Sequence, residues 1–167
     1  MKKIASVAFL GAALALSSLV FALDEKPKDP VTATSEHVML APGDLKWSDG
    51  PPGLPAGAKI AVVQGDPKNA GLFTIRLQFP AGFKVPPHTH PAAEHVTVIS
   101  GALSLGTGAK FDEAAAHEMT AGGIAVMPAG TQHFAWTKSG CVLQVHAIGP
   151  FEIVYVNPAD DPRLAKK

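Results

Sequence analysis

The chain has 167 residues, 47% of them hydrophobic and 17% charged, which is enough for one domain with a buried core and too little for two domains and a linker. Fourteen Lys and Arg balance fourteen Asp and Glu, so there is no electrostatic pull toward nucleic acid or an anionic membrane face. One cysteine, Cys141, excludes an intramolecular disulfide and a multi-cysteine zinc site.

In chain order, the first segment reads as a targeting signal rather than as part of the fold. Lys2 and Lys3 precede an uncharged stretch rich in Ala, Leu and Ser that runs to Val20-Phe21-Ala22 and Leu23, before the acidic Asp24 and Glu25. A basic start, an apolar run and small residues at the junction describe a secretory signal over 1–22, cleaved after Ala22. The competing reading is an uncleaved membrane anchor, but Ser6, Gly11, Ser17 and Ser18 weaken the run as a span. The mature chain is then expected in the periplasm or outside the cell, with no stable membrane span.

Residues 23–58 form a polar and Pro/Gly-rich lead-in, with Pro42, Gly43, Gly50, Pro51, Pro52, Gly53, Pro55 and Gly57 precluding a helix or a central strand. From 59 to 156 the pattern has a period of two. Phe73, Ile75, Leu77 and Phe79 alternate with Thr74, Arg76 and Gln78, and further strands are predicted at 59–64, 95–99, 103–105, 124–127, 133–137, 142–148 and 152–156. Glycine and proline turns separate nearly all of them, Gly101 among them, and residues 110–119 hold the one predicted helical turn. Residues 157–167 are a C-terminal tail. Many short strands with 16 Gly and 15 Pro predict an all-β sandwich or barrel.

Of the seven histidines, three (His88, His90 and His95) gather near Glu94, and a fourth follows a turn that would aim it. His88 and His90 stand two apart, and on extended backbone such residues share a face, so their imidazoles can grip one ion. Glu94 and His95 follow on opposite faces. His133 comes after Pro128-Ala129-Gly130.

These positions resemble the cupin superfamily. Gly82, five residues, His88-x-His90, three residues, Glu94, six residues and Gly101 match its first motif. Gly122, five residues, Pro128-x-Gly130, two residues and His133 match its second, with Thr137 where the family usually places Asn. The resemblance implies an antiparallel jelly-roll barrel holding one divalent transition metal (Mn, Fe, Ni, Cu, Co or Zn) on His88, His90, Glu94 and His133. Three imidazoles and a carboxylate suit such an ion and leave positions open for water or a small-molecule ligand.

Two further residues are candidates. His146 could donate a proton or anchor substrate, or simply pack. Arg76 could meet a substrate carboxylate if its face is the barrel interior, or lie on a solvated outer face. Cys141 follows a turn and could be exposed. Phe134 and Trp136 are expected between sheets, on the face opposite His133. Function divides between a metalloenzyme, dioxygenase-like or decarboxylase-like, and a non-catalytic metal-dependent binding or sensor module. No nucleic-acid partner is expected; a homodimer is compatible with a small barrel.

Overall fold

The computed structural model describes residues 37–164, all within a unit spanning Val31–Lys167. The signal segment 1–22 and the start of the lead-in lie outside the described residues. Ten antiparallel strands form one curled sheet in the order β1-β2-β3-β9-β5-β8-β4-β10, with β6 and β7 also paired to β5. They are β1 Ser48–Asp49, β2 Lys59–Gln64, β3 Gly71–Phe79, β4 Lys84–Thr89, β5 Glu94–Thr107, β6 His117–Thr120, β7 Ile124–Met127, β8 His133–Trp136, β9 Cys141–Gly149 and β10 Val154–Tyr155. The architecture is all-β, as the alternation and the cupin resemblance imply, and no described helix is long and apolar enough to cross a membrane.

The curl comes from β5. Its first half pairs with β7 and β9, and its second half with β6 and β8. The sequence reading broke this strand at Gly101. The chain instead bends there without stopping: the register shifts between Val98 and Ser100, Gly101 has φ +75°, and a Cβ at Gly101 would strike the Gly140 carbonyl. One 14-residue strand therefore serves both halves of the barrel.

On β3 the apolar residues Phe73, Ile75, Leu77 and Phe79 are buried, while Thr74, Arg76 and Gln78 take the other face. The same inner face collects Val96, Val98, Leu103 and Leu105 from β5, and Leu143, Val145 and Ala147 from β9. Each fully buried aliphatic or Phe side chain contributes about 1.5–3 kcal/mol relative to exposure.

Other expectations need correction. Residues 110–119 hold only a 3-10 turn at Glu113–Ala115, followed by strand β6. Cys141 begins β9, is buried opposite Phe79, and has its thiol pKa pushed up by burial. Phe134 packs outside the main core, on Phe111 at 4.9 Å between ring centres and across Gly106. The later part of the lead-in joins the fold: β1 pairs with β2, Ala58 is buried in the core, and the Tyr155 hydroxyl donates to the Gly53 carbonyl at 2.7 Å.

Candidate metal centre

Three strand ends converge inside the barrel. His88 lies near the end of β4, His133 opens β8 directly opposite it, and His90 follows β4 by one residue. Glu94 opens β5. All four residues are buried, His133 most deeply at 2% exposure. One ring nitrogen from each histidine falls within 4.8 Å of the others, close enough to share an ion. Glu94 joins them: its carboxylate lies 3.3 Å from His133 Nε2 and 3.8 Å from His90 Nε2.

Backbone carbonyls fix how these rings point. His88 Nδ1 donates to Pro86 O at 2.7 Å, His90 Nδ1 to Glu152 O at 2.6 Å, and His133 Nδ1 to Thr131 O at 2.9 Å. A carbonyl can only accept, so each Nδ1 carries the proton. In the neutral ring Nε2 then keeps its lone pair, which is the form a metal needs. Phe151 reinforces His90, its ring stacked on the imidazole at 4.2 Å and 16°. The Pro86 and Thr131 acceptors lie two residues before their histidines. Glu152 is remote in sequence, so neither its carbonyl nor Phe151 was visible in the histidine spacing.

The electrostatics agree with a cation site. Burial, helped by the neighbouring His133, drives the His88 pKa down to about 3. Burial also lowers that of His90. For His133 burial acts against the charged form, but the hydrogen bonds to Glu94 and to Thr131 O outweigh it and raise the pKa. Burial likewise opposes ionisation of Glu94, yet the His133 hydrogen bond and the nearby rings hold its pKa below the usual range. Both shifts come from the contact between His133 Nε2 and the Glu94 carboxylate, a place that favours positive charge. A divalent metal would supply positive charge there. The donor set fits such an ion: three buried imidazoles with free Nε2 positions and an ionised carboxylate.

The centre forms one wall of a cavity of about 320 Å³. Ile75, Leu77, Leu105, Leu143 and Val145 supply much of the rest. Among the described residues, the polar side chains that line the cavity besides the four of the centre are Lys68, Glu152 and Arg163, all exposed and so placed at its rim. Pro51, Pro52 and Leu54 from the lead-in also form part of the lining.

Arg76 and His146 are not brought to this site. Arg76 shares the outer face of β3 with Thr74 and Gln78, and its Nε donates to Gln144 at 3.3 Å. His146 pairs with Thr74 and with His95 on that same outer face, and its ring stacks on His95 at 4.8 Å. The inward positions of β9 belong to Leu143, Val145 and Ala147, so His146 points away from the cavity. Thr137, standing where the cupin pattern has Asn, is a turn-holding residue: its hydroxyl donates to Ala102 O at 2.7 Å and accepts from Gly140 N at 3.0 Å.

Comparison with known proteins is consistent with this geometry. A sequence family described as a domain of unknown function (DUF4437) matches residues 14–154. Germin-like protein 1-1 of rice, Oryza sativa subsp. japonica, is 35% identical over 85 residues, covering 48% of this chain and 39% of that protein. The chain thus spans about two fifths of that relative's length. The polyketide cyclase RemF from Streptomyces resistomycificus aligns with a TM-score of 0.62 at 20% identity, over 77% of this chain and 91% of RemF. An RmlC-like cupin from Shewanella frigidimarina NCIMB 400 aligns with a TM-score of 0.53 at 19% identity, over 68% and 91% of the two chains. At these identities the structural likenesses speak to fold alone. Motif spacing, barrel and family match together place this chain in the DUF4437 family, within the cupin superfamily.

Proposed function

We propose that this chain binds one divalent first-row metal through His88, His90, Glu94 and His133, and uses it in a dioxygenase-like or decarboxylase-like reaction on a small organic molecule. One observation carries the reading: three imidazoles with carbonyl-fixed tautomers face, beside a carboxylate, into an otherwise apolar cavity of about 320 Å³. An ion there would supply a Lewis acid with open coordination positions. The protein holds the rings in the ligating tautomer, keeps Glu94 ionised, and surrounds the substrate with aliphatic walls that displace water. Beyond the centre, the acidic and basic side chains that line the cavity, Lys68, Glu152 and Arg163, are exposed at its rim, which disfavours reactions that need a separate proton relay deep in the barrel.

The same shortage supports a second reading, a metal-dependent small-molecule binder without turnover. One experiment separates the two. The metal-loaded and the metal-stripped protein are incubated with a panel of small phenols and carboxylic acids while dioxygen and carbon dioxide are followed. Catalysis predicts metal-dependent consumption of dioxygen or release of carbon dioxide over many turnovers. Saturable one-to-one binding with no gas exchange would support the binder instead.

Export belongs to the proposal as well. The basic start and apolar run of residues 1–22 support secretion to the periplasm or medium. N-terminal sequencing of the mature protein should begin at Leu23, and a chain still carrying Met1 or Lys2 would contradict cleavage.

A further inference from the structure

Which molecule would such a cavity accept? The constraint is the distribution of polar groups. Away from the four side chains of the centre, the inner walls offer Ile75, Leu77, Leu105, Leu143 and Val145, none with a hydrogen-bonding side chain. The strands that carry these five residues pair on both sides at these positions, so their backbone N–H and C=O groups are engaged in the sheet. A sugar, an amino acid or a polyol placed there would bury hydroxyls and charges without partners. A ligand can satisfy polar atoms in only two places, the histidine wall and the solvent-facing rim.

Size narrows the class further. An apolar cavity of roughly 150 Å³ holds one benzene. At about 320 Å³ this interior has room for about two fused rings. The rim carries both signs of charge, Lys68 against Glu152, with Arg163 already held by Asp161 at 2.8 Å. It therefore supplies no net charge to select an anion or a cation.

Resting on the reading of the barrel interior as the ligand site, we propose that the natural ligand is a molecule with an apolar body of about two-ring size and its oxygen donor group at one end only. That oxygen lies toward His88, His90 and His133, and the hydrocarbon body lies along Leu105, Leu143 and Val145. One-ended polarity is the selective feature, because a second hydroxyl at the far end would be buried against aliphatic walls.

The test uses the full-length protein, metal-loaded and metal-stripped, with 2-naphthol, 2,6-dihydroxynaphthalene and glucose as probes. Binding is followed by naphthol fluorescence and by calorimetry, and metal content is measured on the same samples. The expected result is saturable one-to-one binding of 2-naphthol, at least about fivefold weaker binding of the diol, and none of glucose. Val145→Phe, which fills the body of the cavity, should weaken 2-naphthol at least about tenfold with metal content unchanged. Should that variant not fold, the wild-type comparison decides alone. Equal or tighter binding of the diol, or no 2-naphthol binding to either form, overturns the proposal. Naphthol binding by a protein that takes up no metal sustains it and contradicts the metal reading, so the two fail separately.

Discussion

The molecule carries two clusters of imidazoles on opposite faces of one sheet, and they differ in everything except residue type. Inside, His88, His90 and His133 are buried, each Nδ1 is held by a carbonyl, and Glu94 stands within 3.3–3.8 Å of two of them. Outside, His95 and His146 are half-buried cross-strand neighbours, stacked at 4.8 Å, with no ring hydrogen bond among the described residues. Their strand neighbours on that face are Thr74, Val126, Thr97, Gln144 and the cation Arg76, and none of these is a carboxylate. Proximity of histidines alone therefore does not mark a candidate metal site. The carbonyls that fix the tautomer and the buried carboxylate that lowers the cost of a cation distinguish the inner cluster.

The sharpest way to break this comparison is to remove one ring from each cluster. His88→Ala or His133→Ala should drop bound metal at least about tenfold, whereas His95→Ala or His146→Ala should leave it unchanged, as read by metal analysis of purified protein. Equal losses from both clusters would erase the distinction.

The next effect is on acid stability of the metal-stripped protein. The His88 ring stays neutral in the fold down to about pH 3 and accepts a proton near 6.5 when unfolded. Its contribution is complete above about pH 6.5 and drains as pH falls toward 3, by at most about 5 kcal/mol. His133, whose pKa is raised, works the other way, its contribution being present at low pH and lost as pH rises past its folded value. Urea midpoints between pH 7.5 and 4 should fall steeply for wild type and less for His88→Asn. An unchanged slope in that variant would contradict the assignment.

The two faces of β3 permit a cleaner contrast with adjacent residues. Phe73→Ala should cost about 3–5 kcal/mol, because its ring is fully buried in the core. Leu72→Ala, 56% exposed on the opposite face, should stay within about 0.5 kcal/mol. Denaturant titration measures both, and similar costs would mean the inner and outer faces are misassigned.

The smallest effect concerns the hydrogen bond that Tyr155 makes to Gly53, a cavity-lining residue. Tyr155, the single tyrosine of the chain, has its pKa pushed up to about 12 by burial and by the Asp161 charge. A raised tyrosine pKa contributes stability that is whole below about pH 10 and is lost between 10 and 12. Tyrosinate absorbance should titrate near the upper value and revert to about 10 in urea. Tyr155→Phe removes the bond to Gly53 O and should cost about 1 kcal/mol.

How much of this was legible in the sequence follows from the same two faces. β3 could be read because Phe73, Ile75, Leu77 and Phe79 alternate without a break with the polar Thr74, Arg76 and Gln78. β9 could not, since Val142 and Ile148 share the outer face with Gln144 and His146, and parity alone names two faces without saying which is inside. Gly101 looked like a turn because positive φ serves a bend within a strand as well as a chain reversal. Within the inner cluster His88 and His90 were legible from their spacing of two on extended backbone, whereas Glu94 and His133 joined them through the cupin resemblance. The support for His90 was not, because it comes from the backbone oxygen of a residue far along the chain and from the ring beside it.

Anomalous diffraction from crystals of protein purified without chelator would locate a bound ion. One strong peak is expected about 2.0–2.2 Å from Nε2 of His88, His90 and His133, with Glu94 completing the protein ligands. A peak between His95 and His146, or no peak at the inner cluster after incubation with divalent first-row metals, would contradict the metal reading.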